Sequence, residues 1–239
     1  MQYAWLIWSL LFLVLWAVFY FSLKNKESKK EMFRVSLWTM LAGFTEPFFV
    51  PRYWNPPSLF DLTQRTGFDI ESFIFAFAVG GLAVVIYEGL FRTEHQPMRP
   101  AEKHEVRHKY HLWALVSGPV LFVAFVIFTD WNPIYSAFIA LMAAGLFAWY
   151  CRPDLKKKMI VSAFLFLGLY VFYFLTLIIL YPGYVERVWN LKALSGILIL
   201  GIPLEELMFA FGVGFLWSSY YEHFTWHKVR LNINNRHES

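Results

Sequence analysis

A single cysteine, Cys151, in 239 residues excludes an internal disulfide and any zinc site built from several thiolates. Its sequence position reads as a free packing or interfacial residue. Charge is also scarce, at 16% of residues against about 25% in soluble domains. No lysine falls inside the long apolar stretches, so a retinal-type Schiff base has nowhere to form. No Gly-x-Gly-x-x-Gly fingerprint cradles a dinucleotide. The first apolar stretch lacks a preceding basic residue and a following small-residue cleavage site, and does not read as a signal peptide.

What the chain has in excess is apolar surface: 58% of residues are hydrophobic and 21% aromatic. They fall in seven blocks, at 3–23, 33–50, 70–91, 111–128, 133–150, 159–181 and 194–221. Each is long enough, or nearly so, to cross a bilayer at about 1.5 Å per residue. Loops assigned alternately place 17 of the 21 Lys and Arg on one side, in segments 24–34, 92–110, 151–158 and 223–239. The other side has Arg52, Arg65, Arg187 and Lys192. Basic residues are retained in the cytoplasm, which predicts an outside N-terminus and a cytoplasmic C-terminus in the cell membrane. The net charge of +4 is therefore a topology signal, with no call for nucleic acid. The expected fold class is an all-α integral membrane protein of seven transmembrane helices.

The third and seventh blocks repeat one another. DIESFIFAFAVGGLAVVIYE (69–88) and PLEELMFAFGVGFLWSSYYE (203–222) share 9 of 20 positions at an offset of 134 residues. Glu71 matches Glu205, Gly80 matches Gly214, and Tyr87-Glu88 matches Tyr221-Glu222. Upstream, Arg52-Tyr53-Trp54-Asn55 parallels Arg187-Val188-Trp189-Asn190. The pattern predicts one membrane domain over 1–239: repeat A (1–92), a connector helix (93–130), repeat B (131–225) and a polar tail (226–239). Three helices plus one connector make the two three-helix repeats parallel, and a site is expected between them. The Pro- and Trp-rich segments before the third and seventh blocks read equally as re-entrant lids or as plain interfacial anchors.

Six of the 17 acids lie inside or at the ends of the apolar blocks: Glu46, Glu71, Glu88, Glu205, Glu206 and Glu222. An unpaired charge at mid-bilayer costs roughly 2.5–3.5 kcal/mol. Glu88 and Glu222 fall at the inner ends, where water or neighbouring His and Arg can solvate them, and read as structural. Glu46, Glu71, Glu205 and Glu206 share an outer layer with no basic partner, so some of them must carry a proton. A carboxylic acid kept neutral by burial is a proton donor; the competing reading is a helix cap, with Pro203 opening a first turn. Consecutive Glu205 and Glu206 face different surroundings and need not act as a pair.

Pro203-Leu204-Glu205-Glu206-Leu207-Met208-Phe209 resembles the Pro-x-Glu-Glu-x-x-Phe motif of the small-subunit, heterodimeric or fused type of lycopene cyclase. The Tyr-Glu closing each repeat and the two three-helix halves are similar to that family too. The resemblance implies redox-neutral, acid-catalysed ring closure at the end of a linear carotenoid. An acid protonates the terminal alkene, the carbocation closes on the next alkene, and a base removes a proton. It implies Glu205 and Glu206 as catalytic acids, with Glu71 and Glu46 as further candidates. No cofactor and no metal are implied. Phe75, Phe77, Phe209, Phe211, Trp217, Trp54 and Trp189 are candidate surfaces for an apolar polyene and its cation, at roughly 0.5–2 kcal/mol per cation–π contact. Homo-oligomers or complexes with other carotenoid enzymes are compatible with this reading. The first repeat departs from the motif: Asp69 stands for Pro and Ser72 for the second Glu.

Two other classes stay open on sequence alone. His104, His108 and His111 recur on one helical face, and His223 and His227 follow the last block. They fit a membrane metal-dependent oxygenase or hydratase, though solvated interfacial histidines are the plainer reading. The carboxylates also fit a proton-coupled transport or binding protein.

Overall fold

The computed structural model describes residues 1–91 and 93–231. The protein is all-α, with two minor β-ribbons. α1 (Ala4–Ser22) holds no charged residue. α2 (Lys26–Met40) starts at Asn25, whose side chain accepts the Glu27 N–H. A 3-10 turn, Leu41–Thr45, joins it to α3 (Glu46–Phe49), and after an outer loop comes α4 (Leu62–Thr66). α5 (Ile70–Phe91) leads to β1 (Thr93–Pro97), α6 (Pro100–Lys103), a 3-10 turn Val106–Tyr110 and α7 (His111–Phe128). Then follow α8 (Pro133–Cys151), α9 (Lys156–Leu180) and α10 (Tyr184–Val188). A hairpin of β2 (Leu198–Ile199) and β3 (Ile202–Pro203) enters α11 (Leu204–Trp217), followed by α12 (Tyr220–Thr225) and β4 (His227–Leu231).

Among the described residues, five helical stretches are long and apolar enough to cross a membrane: Ala4–Ser22, Ile70–Phe91, Val106–Phe128, Pro133–Cys151 and Pro153–Leu180. The expected second and seventh spans are not single helices of that kind. The second is a charged helix, a 3-10 turn and a short helix that holds Pro47 in its first turn. In the seventh, residues 198–203 form a hairpin whose Leu200 and Gly201 both take positive φ, at 55° and 80°. α11 then stops at Trp217, where the Ser218 and Ser219 hydroxyls donate to the Phe215 and Leu216 carbonyls. Such local bonds compete with helix continuation.

α1 and α2 pack on α5, α8 and α9 pack on α11, α7 packs on α8, and α5 meets α9 between the two groups. Glycine permits the closest approaches. A Cβ on Gly80 would lie 2.0 Å from Thr39 Oγ1, and one on Gly214 would lie 2.7 Å from the Ser162 carbonyl oxygen. Across the middle, Trp8 stacks on Tyr173 at 4.4 Å. Trp8 Nε1 donates to the Tyr173 carbonyl and Tyr173 Oη donates to the Trp8 carbonyl, which locks α1 to α9.

Two antiparallel pairings close the ends. Trp54 and Trp189 form an isolated bridge, with Asn55 N–H to Val188 O at 2.8 Å and Asn190 N–H to Tyr53 O at 2.9 Å. At the other end β1 pairs with β4, His95 opposite Val229. Residues 227–231, expected within the polar tail, are thus a strand; Arg92 and 232–239 lie outside the described residues.

Candidate active site

Adjacent glutamates on α11 part company at once, because consecutive helical residues are about 100° apart. Glu206 turns inward. Tyr53 Oη donates to its Oε1 and Tyr170 Oη to its Oε2, both at 2.5 Å, and Trp189 Nε1 donates to Oε1 at 2.9 Å. Three donors, two from the loops that hold Tyr53 and Trp189 and one from α9, hold this buried carboxylate, with no cation among them. Glu205 turns the other way. It accepts from Tyr135 Oη at 2.6 Å and from the Ser195 N–H at 2.8 Å, and so ties α8 and the 194–197 loop to the start of α11. Glu71 does the same for the loop between α3 and α5, accepting the Leu59 N–H at 2.7 Å.

Glu206 and Glu46 line one cavity of about 170 Å³ between α1, α3 and α5 on one side and α9 and α11 on the other. Trp5, Trp8, Phe49, Tyr53, Trp54, Phe75, Tyr170, Trp189, Phe209 and Trp217 make up most of its wall. The Glu46 Oε1 atom has no hydrogen-bond partner, and the carboxyl has Ser72 and the Trp54 indole among its polar neighbours. Ser72 is the residue that departs from the motif. Asp69, the other departure, caps α5 by accepting the Ser72 N–H at 2.5 Å and the Thr63 hydroxyl at 3.0 Å.

Of the residues expected at the site, Glu46, Glu206, Phe75, Phe209, Trp54, Trp189 and Trp217 meet around this cavity. Glu71 and Glu205 hold loops beside it. Phe77 packs on Trp16, and Phe211 on Phe164, away from the cavity. Tyr53 and Tyr170 escaped the sequence reading. Interfacial tyrosine is common enough that nothing local singles out these two.

A second buried polar cluster lies at the far ends of α5 and α9. Lys158 Nζ is 2.5 Å from both Glu88 and Glu222, and 3.6 Å from Glu31. His95 Nε2 is 3.1 Å from Glu31 and from Glu222. Glu88 and Glu222, expected to be solvated by water or by neighbouring His and Arg, are buried against Lys158, with His95 beside Glu222. Lys158, in the basic segment 151–158, turns inward and is 3% exposed. Burial opposes charge on His95, yet its bonds to Glu222 and Glu31 raise its pKa to about 10. Burial likewise opposes charge on Glu222, and the Lys158 and His95 charges overcome it, lowering its pKa to about 2.

The histidines expected to be solvated are divided: His104 is exposed, whereas His108, His111 and His223 are buried.

The fold and site define an all-helical membrane protein with carboxyl groups set in an aromatic cavity. Residues 132–224, from the entry of α8 into α12, match the family model described as lycopene cyclase. No curated protein and no solved structure matches the chain. The matched stretch contains Tyr170, Trp189, Glu205 and Glu206; Glu46, Tyr53 and Ser72 precede it.

Proposed function

We propose that the protein is an intramolecular lyase that closes a ring at the end of a linear carotenoid without net redox change. The observation that carries this reading is the pairing of Glu46, a carboxyl with one unbonded oxygen, with the triply hydrogen-bonded Glu206 in a single aromatic cavity. Ionising Glu46 in this buried site, with no ion-pair partner, is costly, so it holds the proton. It delivers that proton to the terminal alkene. The tertiary cation formed is attacked by the neighbouring alkene, making the ring C–C bond, with indole and phenyl faces stabilising the charge. Glu206, stabilised as an anion by its three donors, takes a proton from the carbon beside the cation. The anion is a weak base, and a carbocation needs no stronger one. Product release admits water, through which the proton returns to Glu46. At about 170 Å³ the cavity is below the roughly 300–1,000 Å³ of whole-ligand pockets, which suits one end group rather than an entire polyene.

The altered first motif is then a relocation. Trp54 and Trp189 are equivalent in the proposed repeat, as are Ser72 and Glu206. Glu46 stands by Ser72 and Trp54 as Glu206 stands by Trp189. The proposed parallel repeat is supported by matching helix pairings (α2 on α5 like α9 on α11, α1 on α5 like α8 on α11) and by end contacts that pair equivalent residues. We retain the outside N-terminus and cytoplasmic C-terminus on the distribution of basic residues.

The test is expression in a lycopene-accumulating host with chromatography and mass spectrometry of the pigments. The expected product has shifted retention and unchanged mass. Glu206→Gln and Glu46→Gln, inserted at wild-type levels, should each lower its formation by about 10²–10⁴-fold. A product heavier by water or by oxygen would reject ring closure.

A further inference from the structure

The buried histidines point to something the cyclisation does not use. Cys151, the last residue of α8, is fully buried. Its Sγ lies 3.5 Å from Nδ1 of His108 and 3.6 Å from Nδ1 of His111, and the three atoms are all within 4.8 Å of one another. A tetrahedral zinc ion with Zn–S of about 2.3 Å and Zn–N of about 2.0–2.1 Å separates sulfur and nitrogen ligands by about 3.5 Å. Both contacts therefore have the length of a tetrahedral edge.

The surroundings orient the ligands independently. His111 Nε2 is 2.8 Å from the His223 carbonyl oxygen, an acceptor that fixes the proton on Nε2 and leaves the Nδ1 lone pair facing the sulfur. Trp226 stacks on the His111 ring at 3.8 Å and meets the His108 ring edge-on at 5.3 Å, so both imidazoles are clamped. The neighbouring Arg152 is committed to Asp154 through two contacts, at 2.9 and 2.7 Å, and to the carbonyls of Glu222 and His227. Glu31, Glu88, His95 and Glu222 also lie close enough to hold an ion, but there Lys158 already supplies the cation.

We propose that Cys151, His108 and His111 bind one borderline-soft divalent cation, Zn²⁺ first among them. A thiolate and two imidazoles exclude the hard cations Mg²⁺ and Ca²⁺. The ion ties the start of α7 to the end of α8, fastening the connector helix to the half that carries Glu206. This inference stands apart from the cyclase reading.

Tag-free full-length protein in detergent, stripped with chelator, is titrated with Co²⁺ and followed by absorption. One equivalent should produce a thiolate-to-cobalt charge-transfer band and the intense visible bands of a tetrahedral ion, both removed by Zn²⁺. With one cysteine in the chain, the charge-transfer band reports Cys151 even if a variant fails to fold. In folded variants, Cys151→Ser should abolish it, and His108→Ala or His111→Ala should weaken binding at least tenfold. A titration without the charge-transfer band would overturn the site and leave a thiol hydrogen-bonded between two histidines. So would cobalt binding that persists unchanged in Cys151→Ser.

Discussion

Glu205 and Glu206 show how far two identical neighbours can diverge. Glu206 faces three buried donors, and Glu205 faces a loop amide and Tyr135. Removing one donor from Glu206 should slow turnover without unfolding the protein. A hydrogen bond to a charged group is worth about 1.5–3 kcal/mol, so Tyr170→Phe is expected to lower the rate about ten- to a hundredfold, checked by pigment yield at equal membrane protein level. Glu205→Gln keeps its loop-holding bonds in part, and should leave more activity than Glu206→Gln. The acids were legible in the sequence because a carboxyl inside an apolar block is costly and so conspicuous. Tyr53 and Tyr170 were not, since an aromatic residue in a membrane protein needs no special reason. The meeting of Cys151 with His108 was not legible either. The two are 43 residues apart, and only the packing of α7 on α8 makes them neighbours.

At the scale of elements, hydropathy marked where apolar segments lie but not whether each is one helix. The block at 194–221 is as apolar as its neighbours, yet two positive-φ residues fold its first part into a hairpin, and two serines end α11. The long uninterrupted helices, α1, α5, α8 and α9, were readable because none of them has a proline beyond its first turn. α9 carries one exception at its start. Lys158 supplies the positive charge among Glu31, Glu88 and Glu222, and joins α2, α5 and α12 to α9. Lys158→Met removes that charge and leaves three buried carboxyls facing one another. Breaking a buried ion pair by deleting one partner costs about 3–5 kcal/mol. We therefore expect a fall in melting temperature, measured by scanning fluorimetry in detergent, far larger than for the adjacent exposed Lys157→Met.

For the molecule as a whole, the same cluster sets a pH window. His95 is raised to about 10 in the folded state, so its contribution is fully present below its ordinary 6.5 and is lost as pH rises through about 10. Glu222 is lowered to about 2, so its contribution is present above its ordinary 4.5 and is lost as pH falls toward 2. Melting temperature should be highest between about 4.5 and 6.5 and decline on both sides. His95→Gln should flatten the alkaline limb; a wild-type protein equally stable at pH 6 and pH 10 would remove His95 from this role.

The Trp54–Trp189 bridge and the β1–β4 ribbon cross opposite ends of the helical assembly. Under the proposed function, an apolar reactant dissolved in the bilayer would slip in sideways between helices. Turnover would then follow crowding in two dimensions: how much polyene each patch of bilayer carries would set the pace, and the volume of water around it would not.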